Sequence, residues 1–238
     1  MSKKKNYHIH KKYIHRVDVF TDGTIIRNSD SPLQNFIDTD EISSKFQLEV
    51  FNYATNLINP SENNKILDIG CGTGFKTLKY FKDFETVGLE IEPMITELKN
   101  KYPERTWIES NFAQIPNGTF SLIVCADVIE HIIDPDTLLD FIEQIDFKIC
   151  VISTPDRASL KDRLKGLWSP KKMKMTPWAF NPFWDKNAGP PRNPTHVREW
   201  SFEEFYSYIG ERFDVTDHIL CKEMDYFSQL VCIRKFRD

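Results

Sequence analysis

Apolar residues follow two alternating patterns along most of the chain. Between residues 42 and 57 they recur every three or four positions, which is the spacing of one helix face and predicts a helix ending near Asn59 and Pro60. Beyond it, short apolar runs typical of strands alternate with helical stretches, one reaching Lys82 and one around 93–101. Strands that alternate with helices favour a parallel, doubly wound sheet. The helical stripe is Ile42, Phe46, Val50, Tyr53 and Leu57, and the strand-like runs are 65–69, 86–89, 106–109, 120–126 and 148–153.

Turn and capping residues add detail at three places. Residues 17–38 are left open, and Asp22-Gly23 is compatible with a hairpin turn there. Asp134 is expected to cap a helix whose first position is Pro135. Ser201 begins an S-x-x-E capping box, which predicts a helix from there to about residue 209.

The last two strand-like runs complete the predicted fold. Residues 215–221 and 227–234 are close enough in sequence to pair antiparallel at the edge of the sheet. We therefore predict an α/β fold with a doubly wound, mostly parallel, seven-stranded Rossmann-like sheet. It has an antiparallel C-terminal strand and an inserted cap after strand five.

The domain organisation follows from where the alternation begins and breaks. Residues 1–38 are expected to form a basic tail and an irregular extension, and residues 39–238 one domain. Within that domain, residues 156–198 are rich in proline and form the inserted substrate cap. Tryptophans in the cap argue against disorder.

Composition and charge narrow the class of partner. Of 238 residues, 40% are hydrophobic and 28% charged, and no run approaches the ~18 apolar residues of a membrane span. The net charge of −4 conceals two basic stretches, since 1–16 has six Lys or Arg and no acid, and 157–174 has seven against one acid. These stretches favour an anionic partner, or they are a solvated tail and a solvated loop.

The cysteines and the amino terminus indicate the compartment. Five cysteines form no C-x-x-C pair, which argues against a zinc site and a disulfide framework. The basic amino terminus is not followed by the apolar segment of a signal peptide. We therefore expect a cytoplasmic protein.

A glycine-rich segment after the first strand of the sheet carries the strongest chemical signal. Gly70, Gly72 and Gly74 let the backbone approach a ligand where a side chain would intrude. Glu90 closes the next strand, where a carboxylate can accept hydrogen bonds from both hydroxyls of a ribose. The dinucleotide-binding fingerprint has a glycine at the position that Phe75 occupies here. The pattern indicates a nucleoside-containing cofactor, and a structural glycine turn is the alternative.

The run I-L-D-I-G-C-G-T-G from Ile66 to Gly74 resembles motif I of the class I S-adenosylmethionine-dependent methyltransferases. The resemblance covers about residues 42–155 and implies S-adenosylmethionine as cofactor and S-adenosylhomocysteine as product. In that family the acid of the first strand faces the methionine amino group, and the acid of the second strand holds the ribose hydroxyls. Asn111 stands where the family often has an aspartate that contacts adenine. The implied cofactor-binding residues are Asp68, Gly70, Cys71, Gly72, Thr73, Gly74, Glu90, Ile91, Asn111, Phe112 and Asp127.

The end of the fourth strand resembles that of ubiquinone-type O-methyltransferases. It reads C-A-D-V-I-E-H, and the Asp/Asn-Pro-Pro-aromatic tetrapeptide typical of enzymes that methylate the exocyclic amines of bases is missing from the sequence. Asp127, Glu130 and His131 are residue types that suit a divalent metal. The favoured interpretation is that Glu130 and His131 orient the cofactor pocket and cap the turn, and a divalent metal is the less favoured alternative.

The two ends of the cap resemble a subgroup of these enzymes associated with glycan and polysaccharide pathways. These ends are residues 153–157 and 189–201. Because ligands bind beyond the carboxyl ends of parallel strands, both ends are expected at the acceptor site. The implied substrate-binding residues are Arg157, Arg198 and Trp200. The two arginines can clamp a phosphate or carboxylate, or form ion pairs with Asp156 and Glu199.

A hydroxyl acceptor requires a general base as well as alignment with the methyl group. Histidine has a suitable pKa, and the candidates are His196, ranked first, and His131, with Asp156 as the fallback. Either histidine can have a purely structural role instead.

The leading hypothesis is methylation of a hydroxyl on a sugar or other small molecule, with the acceptor as the expected partner. An RNA methyltransferase is an alternative favoured by the basic stretches beside tryptophans, and the overall pI of 5.9 argues against nucleic acid. A non-catalytic S-adenosylmethionine-binding module of a glycan-assembly complex is the other alternative.

Overall fold

The computed structural model describes residues 7–9, 19–21, 24–26, 39–110, 112–157, 191, 193, 195–222 and 227–236. Two short strands near the amino terminus, β1 (Val19–Thr21) and β2 (Thr24–Ile26), pair antiparallel with Thr21 opposite Thr24. Their pairing forms a hairpin there, although its two turn residues lie outside the described ones.

Seven further strands form one sheet in the order β5-β4-β3-β6-β7-β9-β8. The first five in this order run parallel, and β9 is antiparallel to both of its neighbours. The predicted α/β fold class is therefore confirmed. The strands are β3 (Lys65–Ile69), β4 (Glu85–Glu90), β5 (Thr106–Glu109), β6 (Thr119–Ala126), β7 (Asp146–Pro155), β8 (Asp214–Lys222) and β9 (Phe227–Arg234).

Six α-helices and one short 3-10 helix accompany the strands in the described ranges. The chain moves outward from β3 to β5 and then returns to β6, so a ligand crevice is expected where β3 and β6 end side by side. The helices are α1 (Asp40–Ser43), α2 (Leu48–Asn56), α3 (Phe75–Phe81), α4 (Met94–Lys101), the 3-10 helix Ile129–His131, α5 (Asp136–Gln144) and α6 (Phe202–Gly210).

Ser201 caps α6 as its sequence predicts. The Ser201 hydroxyl accepts a hydrogen bond from the Glu204 backbone N–H, and the Glu204 carboxylate accepts one from the Ser201 N–H. This reciprocal pair of hydrogen bonds fixes the residue at which α6 begins.

The single helix predicted over residues 42–57 is wrong, because two helices occupy this range. Gln47 adopts a left-handed conformation with φ 63°, and this separates α1 from α2. The apolar residues do not form one stripe, since Ile42 is 47% exposed whereas Val50 is fully buried. Helical spacing continues across the break by coincidence, and only α2 uses it to bury a face.

The predicted cap at Asp134 is also wrong. Helix α5 starts at Asp136 with Pro135 in the capping position and no side-chain cap bond. The Asp134 carboxylate instead accepts a hydrogen bond of 2.9 Å from the hydroxyl of Tyr7. The Asp134 side chain, which the local sequence assigned to the helix, therefore bonds to a residue 127 positions away in the sequence.

The two faces of the sheet bury separate apolar clusters, as expected for a doubly wound fold. Leu67 and Ile69 of β3 face the cluster that contains α5 and α6, and Ile66 faces the cluster that contains α2. This alternation follows from the two-residue period of a strand. Helix α4 packs in a smaller cluster with Cys71 and Trp107.

Residues 7–9 pack into the body of the fold, although the sequence analysis grouped them with an extension. Ile9 is buried in the larger cluster, and the Tyr7 carbonyl accepts a hydrogen bond of 2.8 Å from the indole of Trp200. The expected cap lies largely outside the described residues, which cover only its two ends. In the described part of the chain, every helix is too short or too polar to cross a membrane.

Candidate active site

The glycine segment forms a tight turn at the carboxyl end of β3. The backbone N–H groups of Gly70 and Cys71 donate to the Leu89 carbonyl at 2.8 and 3.1 Å, which holds the turn against β4. Gly70 and Gly74 have φ of 72° and 75°, a region that disfavours side chains. Gly70 also lacks space, because an added Cβ would lie 2.4 Å from a methyl group of Val128.

Glu90 ties the end of β4 to this turn. One carboxylate oxygen accepts a hydrogen bond of 2.8 Å from the Gly72 N–H, and the other accepts one of 2.9 Å from the Ile91 N–H. A carboxylate oxygen can accept more than one hydrogen bond. The described geometry brings the predicted glycines and the predicted acid together at one edge of the sheet.

Asp68 is a buried carboxyl beneath the turn. It accepts a hydrogen bond of 2.5 Å from the Thr77 hydroxyl on α3. Burial raises the pKa of Asp68 to about 6, and the negative charge of Glu90 adds to this while Thr77 and Lys76 oppose it. A positively charged ligand group beside Asp68 would stabilise its ionised form.

The remaining predicted cofactor residues differ in what they offer. The Cys71 side chain is buried against α4, so only its backbone is available to the turn. Ile91 is exposed, Thr73 borders a cavity of about 270 Å³ between α1 and α4, and Phe112 packs partly against Phe141. The predicted adenine contact, Asn111, lies outside the described residues.

Asp127 marks the point where β6 ends beside β7. Its φ of 53° is a conformation that non-glycine residues rarely adopt, and such positions cluster at functional sites. Its carboxylate accepts a hydrogen bond of 2.6 Å from the Ser153 hydroxyl. The sequence did not identify Ser153 as a site residue, and the register of β6 against β7 is what places it opposite Ala126.

His131 and His196 come together beyond the ends of β6 and β7. Their ring centroids are 4.9 Å apart and the rings meet edge to face. The His131 Nδ1 lies 2.9 Å from the Thr195 carbonyl, and since a carbonyl only accepts, this nitrogen carries the proton. Burial, and the neighbouring His196 second, lower the pKa of His131 below its ordinary value, although 31% of its side chain stays exposed.

Hydrogen bonds to neighbouring residues also fix the proton on His196. The Asn193 side-chain oxygen accepts from the N–H and hydroxyl of Thr195, so the Asn193 amide nitrogen faces the His196 Nε2 at 2.9 Å. The Nε2 is therefore an acceptor, and Nδ1 donates to Glu199 at 2.6 Å. The sequence paired Glu199 with an arginine, but its i, i+3 spacing from His196 was the signal for this contact.

Glu130 lies fully buried between the two histidines. One of its oxygens accepts a hydrogen bond of 3.0 Å from Thr154, and the other, Oε1, has no hydrogen-bond partner among the described residues. The Oε1 atom is 3.9 Å from the His131 Nε2 and 4.0 Å from the His196 Nε2. Burial, with the charge of Asp127 second, raises the pKa of Glu130 well above its ordinary value.

Arg198 and Trp200 are held by the protein itself. The Arg198 guanidinium donates to the carbonyls of Ile132 and Ile133, both at 2.5 Å, and the Trp200 side chain is fully buried. These contacts fix the chain beyond His196 against the loop that follows β6. Their predicted roles in substrate binding stay predictions, and both would require the side chains to become accessible.

Asp156 and Arg157 are buried where β7 leaves the sheet. The Asp156 N–H donates to the Phe227 carbonyl, and the Arg157 N–H donates to the Trp200 carbonyl, both at 2.8 Å. The backbones of Asp156 and Trp200 also form an isolated parallel β-bridge. The Arg157 contact connects the end of β7 to the segment that carries His196. The roles of Asp156 and Arg157 toward an acceptor stay predictions.

Comparisons with known proteins identify the family. The methyltransferase domain family matches residues 46–208. A ribosomal protein L11 methyltransferase from Ralstonia pickettii is 38% identical over 72 residues, and this match spans 28% of the present chain and 24% of that protein.

Solved structures agree with the fold. Magnesium protoporphyrin IX methyltransferase from Synechocystis with bound S-adenosylhomocysteine has a TM-score of 0.54 at 15% identity, covering 79% of this chain and 81% of that one. The N-methyltransferase NodS from Bradyrhizobium japonicum, in complex with the same compound, has a TM-score of 0.51 at 17% identity, covering 87% and 93%. The family model shows that the chain belongs to the methyltransferase domain family, and the sheet order and these structures show that it has the class I methyltransferase fold.

Proposed function

We propose that the chain transfers a methyl group from S-adenosylmethionine to a hydroxyl of a sugar or another small molecule. The observation that carries this proposal is the position of the histidine pair relative to the glycine turn. Val128 contacts Gly70, and Glu130 and His131 follow two and three residues later on the same loop. A hydroxyl beside these imidazoles would be close to a cofactor bound at the turn.

The cofactor part of the proposal rests on Asp68, Glu90 and the glycines. Asp68 suits the methionine ammonium because a nearby positive charge would stabilise the ionised form of this buried carboxyl. Glu90 suits the ribose hydroxyls because its carboxylate lies at the glycine turn and a carboxylate oxygen can accept more than one hydrogen bond. Structural relatives crystallised with S-adenosylhomocysteine support the same cofactor.

The reaction needs alignment and removal of one proton. The acceptor oxygen forms a bond to the methyl carbon while the carbon–sulfur bond breaks and its electron pair stays on sulfur. Alignment of the two reactants contributes up to about 7 to 11 kcal/mol, and a positioned base typically adds about 100- to 10,000-fold. His196 suits the base role because Glu199 holds its proton on Nδ1 and would stabilise the imidazolium.

An assay for S-adenosylhomocysteine release tests this function. The enzyme is offered a panel of monosaccharides, sugar phosphates and phenols, each beside an analogue in which the hydroxyl is replaced by hydrogen. We expect release with a hydroxyl compound, none with its deoxy analogue, and methyl attached to oxygen in the product by NMR. Because structural relatives include N-methyltransferases, nitrogen is the alternative acceptor atom. A product methylated only on nitrogen would refute the hydroxyl assignment.

Two histidine variants separate the roles within the site. His196→Ala is expected to lower turnover by about 100-fold with cofactor affinity nearly intact, as for a group that acts in the transition state. His131→Ala is the comparison, since His131 is on the loop that follows Asp127 and can affect both quantities. If His196→Ala keeps full activity, the assignment of the base is wrong.

A further inference from the structure

We infer that Glu130, His131 and His196 form a binding site for a divalent transition-metal ion. This inference rests on the proposed function for its purpose, which is to hold the acceptor hydroxyl, but not for its geometry. One carboxylate oxygen and two imidazole nitrogens lie within 4.8 Å of one another. This is a mixed nitrogen and oxygen set of the kind that binds zinc, iron, cobalt or manganese.

The atoms that face one another are those with available lone pairs. Both Nδ1 atoms carry their protons outward, to the Thr195 carbonyl and to Glu199, so both Nε2 atoms are unprotonated. Each Nε2 lies within about 4 Å of the Glu130 Oε1, the oxygen with no hydrogen-bond partner among the described residues. The His196 Nε2 accepts from the Asn193 amide, whereas the Glu130 Oε1 has no partner among the described residues, and a cation would satisfy all three acceptors.

The spacing is close to that of ligands on one ion. Two ligand atoms each about 2.1 Å from a metal lie between about 3 and 4.2 Å apart. The Glu130 Oε1 lies 3.9 Å from the His131 Nε2 and 4.0 Å from the His196 Nε2, inside that range. The two imidazole nitrogens lie within 4.8 Å of each other, so at that upper limit they would have to approach by about 0.6 Å to come inside the range.

The surroundings of the three ligands resemble the outer contacts of built metal sites. A metal-binding histidine usually donates its other ring N–H to a carbonyl or carboxylate, which fixes the tautomer and strengthens the ligand. Thr195 and Glu199 fill these two positions here. Thr154 holds the second oxygen of Glu130 in the same way.

One contact has to change when an ion binds. The Asn193 amide donates to the His196 Nε2 at 2.9 Å, so the ion takes the place of that donor. Rotation of the Asn193 side chain alone would make room for the ion. The three protein ligands then leave coordination positions for a hydroxyl of the acceptor. With the ion bound, the His196 Nε2 is a ligand and no longer the base, so the ion would lower the pKa of the bound hydroxyl and its proton would pass to water.

Metal binding can be measured without any acceptor. The probe is Co²⁺ added to the full-length, metal-stripped chain, followed by equilibrium dialysis for stoichiometry and by visible absorption for coordination. We expect one Co²⁺ per chain, with Zn²⁺ competing for the same site. Binding of less than about a tenth of an equivalent would overturn the inference.

Four substitutions identify the ligands. Glu130→Gln keeps the size of the side chain, and with His131→Gln and His196→Gln it should weaken Co²⁺ binding at least 100-fold. Glu199→Gln changes only an outer contact and should weaken binding about 10- to 100-fold. Unchanged affinity in Glu130→Gln and His196→Gln together would place the ion elsewhere and refute the site.

Controls keep the result interpretable. His218→Gln removes a histidine that stacks on Phe202, away from the cluster, and should leave Co²⁺ affinity unchanged. Thermal melting of each variant shows whether it folds. If Co²⁺ binds as expected and no hydroxyl compound is methylated, the function fails and the site stands. If methyl transfer proceeds unchanged in metal-stripped protein with EDTA, and Co²⁺ does not bind, the site fails and the function stands.

Discussion

Replacing Asp68 with asparagine should stabilise the cofactor-free protein at neutral pH. In the folded chain the pKa of Asp68 is about 6, against an ordinary value of 3.8, mainly because the carboxyl is buried. That difference corresponds to about 3 kcal/mol of folding free energy that is lost once the group ionises. Asparagine has the same shape and can still accept the hydrogen bond from Thr77, without an ionisable group.

The pH dependence gives the expected sign. Below the ordinary pKa of 3.8 the Asp68 carboxyl is protonated in the folded and the unfolded chain, and it imposes no penalty. As the pH rises from 3.8 toward about 6, the unfolded chain ionises and the folded chain does not, so stability falls, and above about 6 both states ionise and the penalty stays constant. The gain from Asp68→Asn should therefore reach about 3 kcal/mol at pH 7.5 and shrink to less than about 1 kcal/mol at pH 4.

Urea denaturation of cofactor-free protein at these two pH values measures this effect. Thr77→Val removes the hydroxyl that stabilises the ionised carboxyl and should destabilise more at pH 7.5 than at pH 4, whereas Thr77→Ser keeps the hydroxyl and serves as control. An equal effect of Asp68→Asn at both pH values would contradict the reasoning. If Asp68 faces the cofactor ammonium, the same variant should also bind S-adenosylmethionine at least tenfold more weakly, because a hydrogen bond to a charged group contributes about 1.5 to 3 kcal/mol.

Two further predictions concern the turn and its support. Glu90→Gln should weaken S-adenosylmethionine binding at least tenfold by calorimetry, because one of its two acceptors becomes a donor that opposes a backbone N–H such as that of Gly72. The exposed Glu92→Gln is the control, and equal affinities in the two variants would remove the role of Glu90. Gly88→Ala should destabilise the fold by about 1 to 3 kcal/mol in urea denaturation, because the added Cβ would lie 2.4 Å from the Trp107 ring. Trp107→Leu should recover part of that loss, and unaltered stability in Gly88→Ala alone would show that the contact is not tight.

The sequence determines the strands better than it determines the site. Strands β5 and β9 begin and end where the apolar runs do, because turn and charged residues bound each run and a sheet buries them as a unit. The glycine turn is also predictable from the sequence, because Gly70 has a backbone conformation that other residues rarely adopt and no room for a side chain. In both cases the information is local.

The features that the sequence did not reveal depend on contacts between distant residues. Gln47 breaks a stripe that is periodic on both sides, and the hydroxyl of Tyr7 takes Asp134 away from the helix it was expected to cap. His131 and His196 were both candidates, but their meeting on Glu130 required the fold to bring two separate segments together. The i, i+3 pair of His196 with Glu199 is the one local signal that was available.

The contact between Tyr7 and Trp200 has a consequence for how the chain folds during synthesis. The two residues are 193 positions apart, so the amino-terminal partner leaves the ribosome long before the indole that donates to it exists. At about 5 to 20 residues per second, the interval is roughly 10 to 40 seconds. Throughout that time the side chain of Ile9 has no completed core to enter, and its place among the residues of α6 becomes available only after α6 has been made. Residues 7–9 are thus made well before the segment on which they dock, which leaves them open to chaperones and proteases for the whole interval.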